Sequence, residues 1–249
     1  MNLTEIATRP NKTVYIEGDL CYKVFAADYR KSDIFNEALN QTRVEETGLF
    51  VPKVHAINRF DGGRLGIVMD YIEGKSLARL IEENPDKKEE YILKLIDIQL
   101  SMHTLTAPEL NKQSVKFARK IELSGLSAAT QYELHMRLDG MPKHKKLCHG
   151  DFNPSNVIIT DKGEACVIDW SHATIGNASA DTARTYLLFK LAGEDDTAEF
   201  YLNNFCERSG TALRYVQNWL PIVAASQMVK GKPEEREMLS KWADVCQYD

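Results

Sequence analysis

A short island of extended chain inside an otherwise helical region constrains this sequence most. The segment NVIITDKGEACVIDW, residues 156–170, places two β-branched runs around Asp161-Lys162-Gly163, the composition of a two-strand hairpin. Polar residues stand at its ends. Asp151 and Asn156 lie on the loop before the first strand, and Asp169 follows the second, 18 residues after Asp151. Three oxygen-bearing side chains are therefore expected to converge at one end of the hairpin.

The chain on either side of the island is organised in two ways. Up to about residue 72 it reads mostly as strands: residues 13–16 and 20–25 around Gly18, then PKVHAINRF and RLGIVMDYI joined by Asp61-Gly62-Gly63. One helix interrupts them over 32–47, with Ser32 as N-cap, Phe35, Ala38, Leu39 and Thr42 at helical spacing, and Gly48 as the stop. Beyond Gly74 the pattern turns helical. Helices are expected over 85–105, 112–123, 127–138, 179–191, 195–208, 211–225 and 233–244. The expectation is an α+β chain with a small antiparallel-sheet lobe bearing one helix, residues 1–72, and a larger, mainly helical lobe, residues 73–249.

Bulk properties exclude several classes. A formal charge of -5 argues against a nucleic-acid surface, and the one dense basic run, residues 143–146, reads as a solvated turn. The five cysteines show no CxxC and no metal-ligand spacing, so reduced thiols in a cytoplasmic protein are expected. The opening MNLTEIATRPNK has no apolar signal core, and no apolar run reaches the roughly 20 residues that span a bilayer, so no membrane association is expected.

Carboxylate and amide oxygens are hard ligands that suit magnesium, an ion usually held by one or two protein groups together with substrate phosphates. Phosphoryl transfer requires this division of labour, with one carboxylate to accept the proton of an attacking hydroxyl and separate ligands for the metal. HGD alone is weak, because aspartate often serves only as a turn former. The ordered series of HGD, four residues, Asn, strand, turn, strand and IDW is much more specific.

CHGDFNPSNVII followed by VIDW resembles the catalytic and metal-binding segments of the aminoglycoside phosphotransferase and choline kinase group, within the protein-kinase-like superfamily. The resemblance runs from TVYIEGDLCYKVF to ADTARTYLL and is weak in the helices after about residue 195. It implies a two-lobed kinase-like fold and transfer of the γ-phosphoryl group of ATP, with Mg2+, to a hydroxyl of a small molecule. It also implies Asp151 as catalytic base and Asn156 and Asp169 as metal ligands, with His149 bracing their loop. In the first lobe it implies Lys23 as the phosphate-binding lysine, oriented by Glu37, with Glu45 and Glu46 as competitors near the helix end. IVMDYIEG resembles the adenine-holding hinge, which assigns the carbonyl of Asp70 and the amide of Ile72, with Met69 lining the pocket.

The sequence departs from the kinase pattern in places. Residues 7–12 stand where a glycine-rich phosphate loop is expected but hold no glycine, leaving Arg9, Lys12 or the Thr13 hydroxyl as donors. Trp170 and Ser171 replace Phe and Gly, and only about ten residues separate them from Asp181, too few for a long activation segment. That favours a small-molecule acceptor over a protein serine kinase, while the intact catalytic set speaks against a nucleotide-sensing pseudokinase. His172, Thr174 and Asn177 are candidate acceptor contacts, whereas Ser179 and Asp181 fit the N-cap and first-turn acid of the next helix. His103 reads as a hydrogen-bonded core histidine. For a cationic acceptor, Glu109, Glu122, Glu133, Asp139, Glu194, Asp195, Asp196 and Asp249 are the acids available.

Overall fold

The structure, a computed structural model, describes residues 3–230 and 232–244, so Cys246 and Asp249 lie outside the described residues. The chain forms two compact units. The first takes residues 1–83 and 154–173, and the second takes 84–153 and 174–249.

Five antiparallel strands make the frame of the first unit, in the order β1-β2-β3-β5-β4. They are β1 (Thr4–Arg9), β2 (Lys12–Glu17), β3 (Leu20–Phe25), β4 (Val54–Arg59) and β5 (Leu65–Asp70). The sequence reading does not anticipate β1: all six of its residues are exposed, so no apolar alternation betrays it. Period-two alternation sorts β3 cleanly. Tyr22 and Val24 pack with Val68 on one face, while Phe25 joins Ile34, Ala38 and Ile67 on the other, beneath helix α1 (Lys31–Glu45). Lys23 shares the face of Phe25 and is thereby directed at α1 rather than at water.

The apolar face expected for α1 is corrected by the structure. Phe35 and Leu39 are 48% and 46% exposed, and the buried stripe runs through Ile34, Glu37, Ala38, Gln41 and Val44. Two polar members disguise that stripe in the sequence; Gln41 is satisfied by donating to the Pro52 carbonyl at 2.7 Å. Ser32 lies inside the first turn, and the cap position belongs to Arg30, whose side chain makes no capping bond.

The expected hairpin is present as β8 (Val157–Ile159) and β9 (Ala165–Val167), turning at Gly163 with φ 81°. A short strand, β6 (Lys75–Ser76), extends it to three strands and leads into α2 (Leu77–Glu83). Gly74 makes this junction possible. Its φ is 153°, and a Cβ there would lie 2.3 Å from the Ile159 carbonyl oxygen.

The second unit is helical: α3 (Lys88–Met102), α4 (Gln113–Glu122), α5 (Ala128–Gly140), α6 (Ala178–Leu191), α7 (Asp195–Ser209), α8 (Leu213–Gln217), α9 (Leu220–Met228) and α10 (Arg236–Trp242). One small ribbon, β7 (Lys146–Cys148) paired with β10 (Thr174–Gly176), brings the stretches before Asp151 and after His172 into register, Cys148 opposite Thr174. The single helix expected over 211–225 is two, because Pro221 has no N–H to donate and crowds the carbonyl four residues back. No helix among the described residues is long and apolar enough to cross a membrane.

Gly74→Ala is expected to cost roughly 2–3 kcal/mol through the clash with a backbone oxygen and to lower the melting temperature by roughly 5–10 °C. Thermal unfolding followed by circular dichroism checks this, and an unchanged melting temperature would contradict it.

Candidate active site

In the first unit four charged side chains form one chain of contacts. Lys23 on β3, only 7% exposed, donates a hydrogen bond from Nζ to Glu37 Oε1 on α1 and another to Asp169 Oδ1 at 3.2 Å. Lys12, the first residue of β2, reaches Asp169 Oδ2 at 3.3 Å. Of the three donors considered for residues 7–13, Lys12 is the one tied to a candidate metal ligand. Burial alone would raise the Asp169 pKa, but the ammoniums of Lys23 and Lys12 outweigh it and hold the carboxyl well below the usual carboxylate range. Burial would lower Lys23, and Glu37 and Asp169 reverse that, raising it. Lys12 is lowered by burial and by the charge of Lys23. Asp169 thus stays ionised at neutral pH, and its ion pairs stabilise the fold above the unfolded carboxylate range and fade as the pH falls.

Backbone geometry fixes where Asp169 points. It takes a left-handed conformation, φ 62° and ψ 62°, the one non-glycine residue with positive φ among the described residues. Such a conformation costs about 1–2 kcal/mol and persists only when neighbours determine it. Three bonds do so here. Ile168 N donates to the Asn156 carbonyl at 2.9 Å, Trp170 Nε1 to the Val167 carbonyl at 2.9 Å, and Asn40 Nδ2 on α1 to the Ser171 carbonyl at 3.4 Å. Asn156 and Asp169 are therefore neighbours along the paired ends of the β8–β9 hairpin. His172 is half-buried in the single helical turn Trp170–His172 that follows.

The hinge candidates stand at the end of β5. Met69 pairs with Cys21 and packs against the cluster of Phe25, Ile34, Ala38 and Ile67. The Asp70 side chain is turned toward β4, accepting from Lys53 N at 3.0 Å and from His55 Nε2 at 2.6 Å. Ile72 is half-buried two residues on. Glu45, a competitor for Lys23 in the sequence, accepts from Val54 N at 2.8 Å, leaving Glu37 as the residue paired with the lysine.

Asp151 belongs to the second unit, on a loop suspended from one buried carboxylate. Asp181 on α6 is 1% exposed and accepts from Gly150 N at 2.7 Å, His149 N at 3.2 Å and His103 Nε2 at 3.0 Å. Burial pushes the Asp181 pKa up, but these donors prevail and it is lowered. His149 is fully buried, and its Nδ1 accepts from Asp151 N at 3.2 Å. Further bonds close the loop: Thr185 Oγ1 to the Phe152 carbonyl at 2.8 Å and Asn153 Nδ2 to the Asp151 carbonyl at 2.8 Å. Arg184, one turn along α6 from Asp181, places Nη2 3.1 Å from Asp151 Oδ1.

The sequence reading treats Asp181 as a first-turn acid and passes over Arg184. Asp181 was marked only indirectly, by the need of His103 for a buried acceptor. Asn177, named as a possible acceptor contact, is 2% exposed and supplies the N-cap expected of Ser179, with Oδ1 accepting from Ser179 N at 2.9 Å. Its Nδ2 donates to the Pro142 carbonyl at 3.0 Å and to Tyr215 Oη at 2.7 Å. Thr174 is likewise buried, in β10.

Comparison with known proteins places this geometry. The profile of the phosphotransferase enzyme family (APH) matches residues 7–219. No curated protein sequence matches the chain. Among solved structures, a thermostable mutant of aminoglycoside phosphotransferase APH(4)-Ia, in ternary complex with AMP-PNP and hygromycin B, superposes with a TM-score of 0.70 at 16% identity, covering 99% of this chain and 94% of that one. The aminoglycoside-3'-phosphotransferase of type VIII gives 0.66 at 17% identity over 92% and 93% of the two chains. The streptomycin-ATP-APH(2")-IIa ternary complex gives 0.60 at 14% identity over 98% and 91%. At such identities the likeness is one of fold, a mixed α+β kinase-like architecture, while the family match extends over most of the sequence. This chain belongs to the phosphotransferase enzyme family.

Proposed function

We propose that the protein moves the γ-phosphoryl group of ATP, with magnesium, to a hydroxyl of a small molecule. The observation that carries this reading is Lys23 held between Glu37 and Asp169. A buried ammonium fixed by one carboxylate and shared with a second is poised to bind phosphate oxygens, and Lys12 adds a second cation in a region without glycine. Solved kinase-like relatives in complex with ATP, AMP-PNP and aminoglycosides support the same direction.

The donor set fits magnesium. Asp169 is ionised and oxygen-bearing, Asn156 supplies an amide oxygen beside it along the hairpin, and no softer ligand is needed. These two residues would hold the ion, which when bound neutralises phosphate charge. Asp151 accepts the proton of the acceptor hydroxyl as its oxygen bonds to the γ-phosphorus, while the bond to the β–γ bridging oxygen breaks and ADP leaves. His149 and Asp181 are positioning residues for that loop. The Asp70 carbonyl and the Ile72 amide, at the end of β5, offer the acceptor and donor that an adenine edge requires, with Met69 beside them. A functional boundary near residue 72 separates this nucleotide-binding part from the part carrying Asp151. Four free cysteines among the described residues suit a reducing, cytoplasmic setting.

Asp151→Ala should lower turnover by about a hundredfold to ten-thousandfold while leaving Mg-ATP affinity within about threefold, whereas Asp169→Ala should impair both. ADP release with an acceptor panel, and titration calorimetry with Mg-AMP-PNP, check the pair; wild-type turnover in Asp151→Ala would remove the proposed base. Asp181→Asn should lower kcat about tenfold or more with little change in the KM for ATP, since it weakens the bonds that hold the Asp151 loop and leaves Lys23, Glu37 and Asp169 intact. A KM effect without a kcat effect would contradict the positioning role.

A further inference from the structure

The match to the phosphotransferase enzyme family ends at residue 219, yet side chains beyond that point connect to Asp151. Within the second unit, three hydrogen bonds run in series. Arg184 Nη2 donates to Asp151 Oδ1 at 3.1 Å, Arg184 Nη1 to Gln227 Oε1 at 2.7 Å, and Gln227 Nε2 to Glu235 Oε2 at 3.0 Å. Gln227 stands on α9, and Glu235 closes the single helical turn Pro233–Glu235 that leads into α10.

Each link has one possible direction. A guanidinium donates and never accepts, and a carboxylate accepts and never donates, whereas a carboxamide has one end of each kind. Placed between Arg184 and Glu235, Gln227 must turn its oxygen to the guanidinium and its nitrogen to the carboxylate. Glu235 therefore decides which end of Gln227 Arg184 meets.

Arg184 by itself would hold Asp151 loosely. The ion pair is partly exposed, 17% and 34% for the two side chains, and a long side chain gives up rotamer freedom to keep one geometry. The second anchor on Gln227 confines the guanidinium, so the planar fork presents Nη2 in one place. Packing fixes the far end of the series. Leu239 on α10 is fully buried, and the Trp242 ring stacks on Tyr186 of α6 at 5.9 Å, which ties the segment after Glu235 to the helix that carries Arg184.

We infer that Arg184, Gln227 and Glu235 are positioning residues for Asp151. Glu235 orients the Gln227 amide, Gln227 steadies the Arg184 guanidinium, and Arg184 aims the carboxylate that takes the proton of the acceptor hydroxyl. The inference rests on the reading of Asp151 as base. It makes the geometry of that base depend on residues 227 and 235, outside the region matched to the family.

Reversing the polarity of one link in the full-length protein tests this. In Glu235→Lys a donor replaces the acceptor, so Gln227 turns its oxygen toward position 235 and its nitrogen meets the donor-only guanidinium. ADP release from Mg-ATP, with water or an added alcohol as acceptor, should fall about tenfold in kcat, with the KM for ATP within about twofold because Lys23, Glu37 and Asp169 are untouched. Adding Gln227→Glu returns acceptors to both neighbours of position 227, and kcat should recover to within about threefold of wild type. In an Asp151→Ala background Glu235→Lys should lower kcat no further, since the series acts through Asp151 alone. Wild-type kcat in Glu235→Lys, no recovery in the double variant, or a further loss in the Asp151→Ala background overturns the inference. Melting temperatures of the same variants report the series without turnover, as a drop in Glu235→Lys that Gln227→Glu reverses. Wild-type kcat in Asp151→Ala removes the base and the positioning role with it, and the melting temperatures then tell that failure from a failure of the series itself.

Discussion

The buried carboxylate of Asp181 organises the second unit. An ionised side chain with almost no exposure survives only when its lone pairs are filled, and Asp181 fills them with two consecutive backbone amides and a histidine. Each donor is thereby spared a desolvation cost of about 1–3 kcal/mol. The loop cannot drift without orphaning several polar groups at once. Helix α6 supplies both the anchor and, one turn later, Arg184, whose guanidinium contacts Asp151 itself. The orientation of Asp151 is inherited from a helix core rather than from the loop's own sequence.

The first unit solves a related problem with opposite charges. Lys23 is too buried to remain charged alone, and Glu37 and Asp169 supply its counter-charges. Breaking one member of such a set costs about 3–5 kcal/mol because it strands the others. The set also links three separate segments: a strand, the helix over the sheet, and the residue after the β8–β9 hairpin. The buried ammonium of Lys23 is in this way built into the packing of the unit.

Much of this was legible in the sequence. The hairpin, most helices, the strands β2 to β5 and the pairing of Lys23 with Glu37 follow from periodicity, turn residues and family resemblance. What escaped has physical reasons. Strand β1 is exposed along its whole length and borrows its structure from β2, so it carries no apolar signature. The buried face of α1 includes Glu37 and Gln41, so the hydrophobic pattern pointed one residue away, to Phe35 and Leu39. Asp181 sits where a helix N-terminus favours any acid, which supplied a sufficient explanation and hid its partners in residues 103 and 149–150.

The discontinuity of the first unit bears on how the chain is made. Its sheet is complete by residue 83, but Asp169 and the β8–β9 strands belong to the segment 154–173. During synthesis from the amino terminus, the ribosome must extend the chain through residues 84–153 before the carboxylate that shares Lys23 with Glu37 exists. Until then the nascent sheet and α1 carry Lys23 with a single counter-charge, and β6 has no strand beside it. The first unit is thus finished late, with the segment 154–173, and the set of Lys23, Glu37 and Asp169 cannot be assembled ahead of the Asp151 loop that precedes Asp169 in the chain.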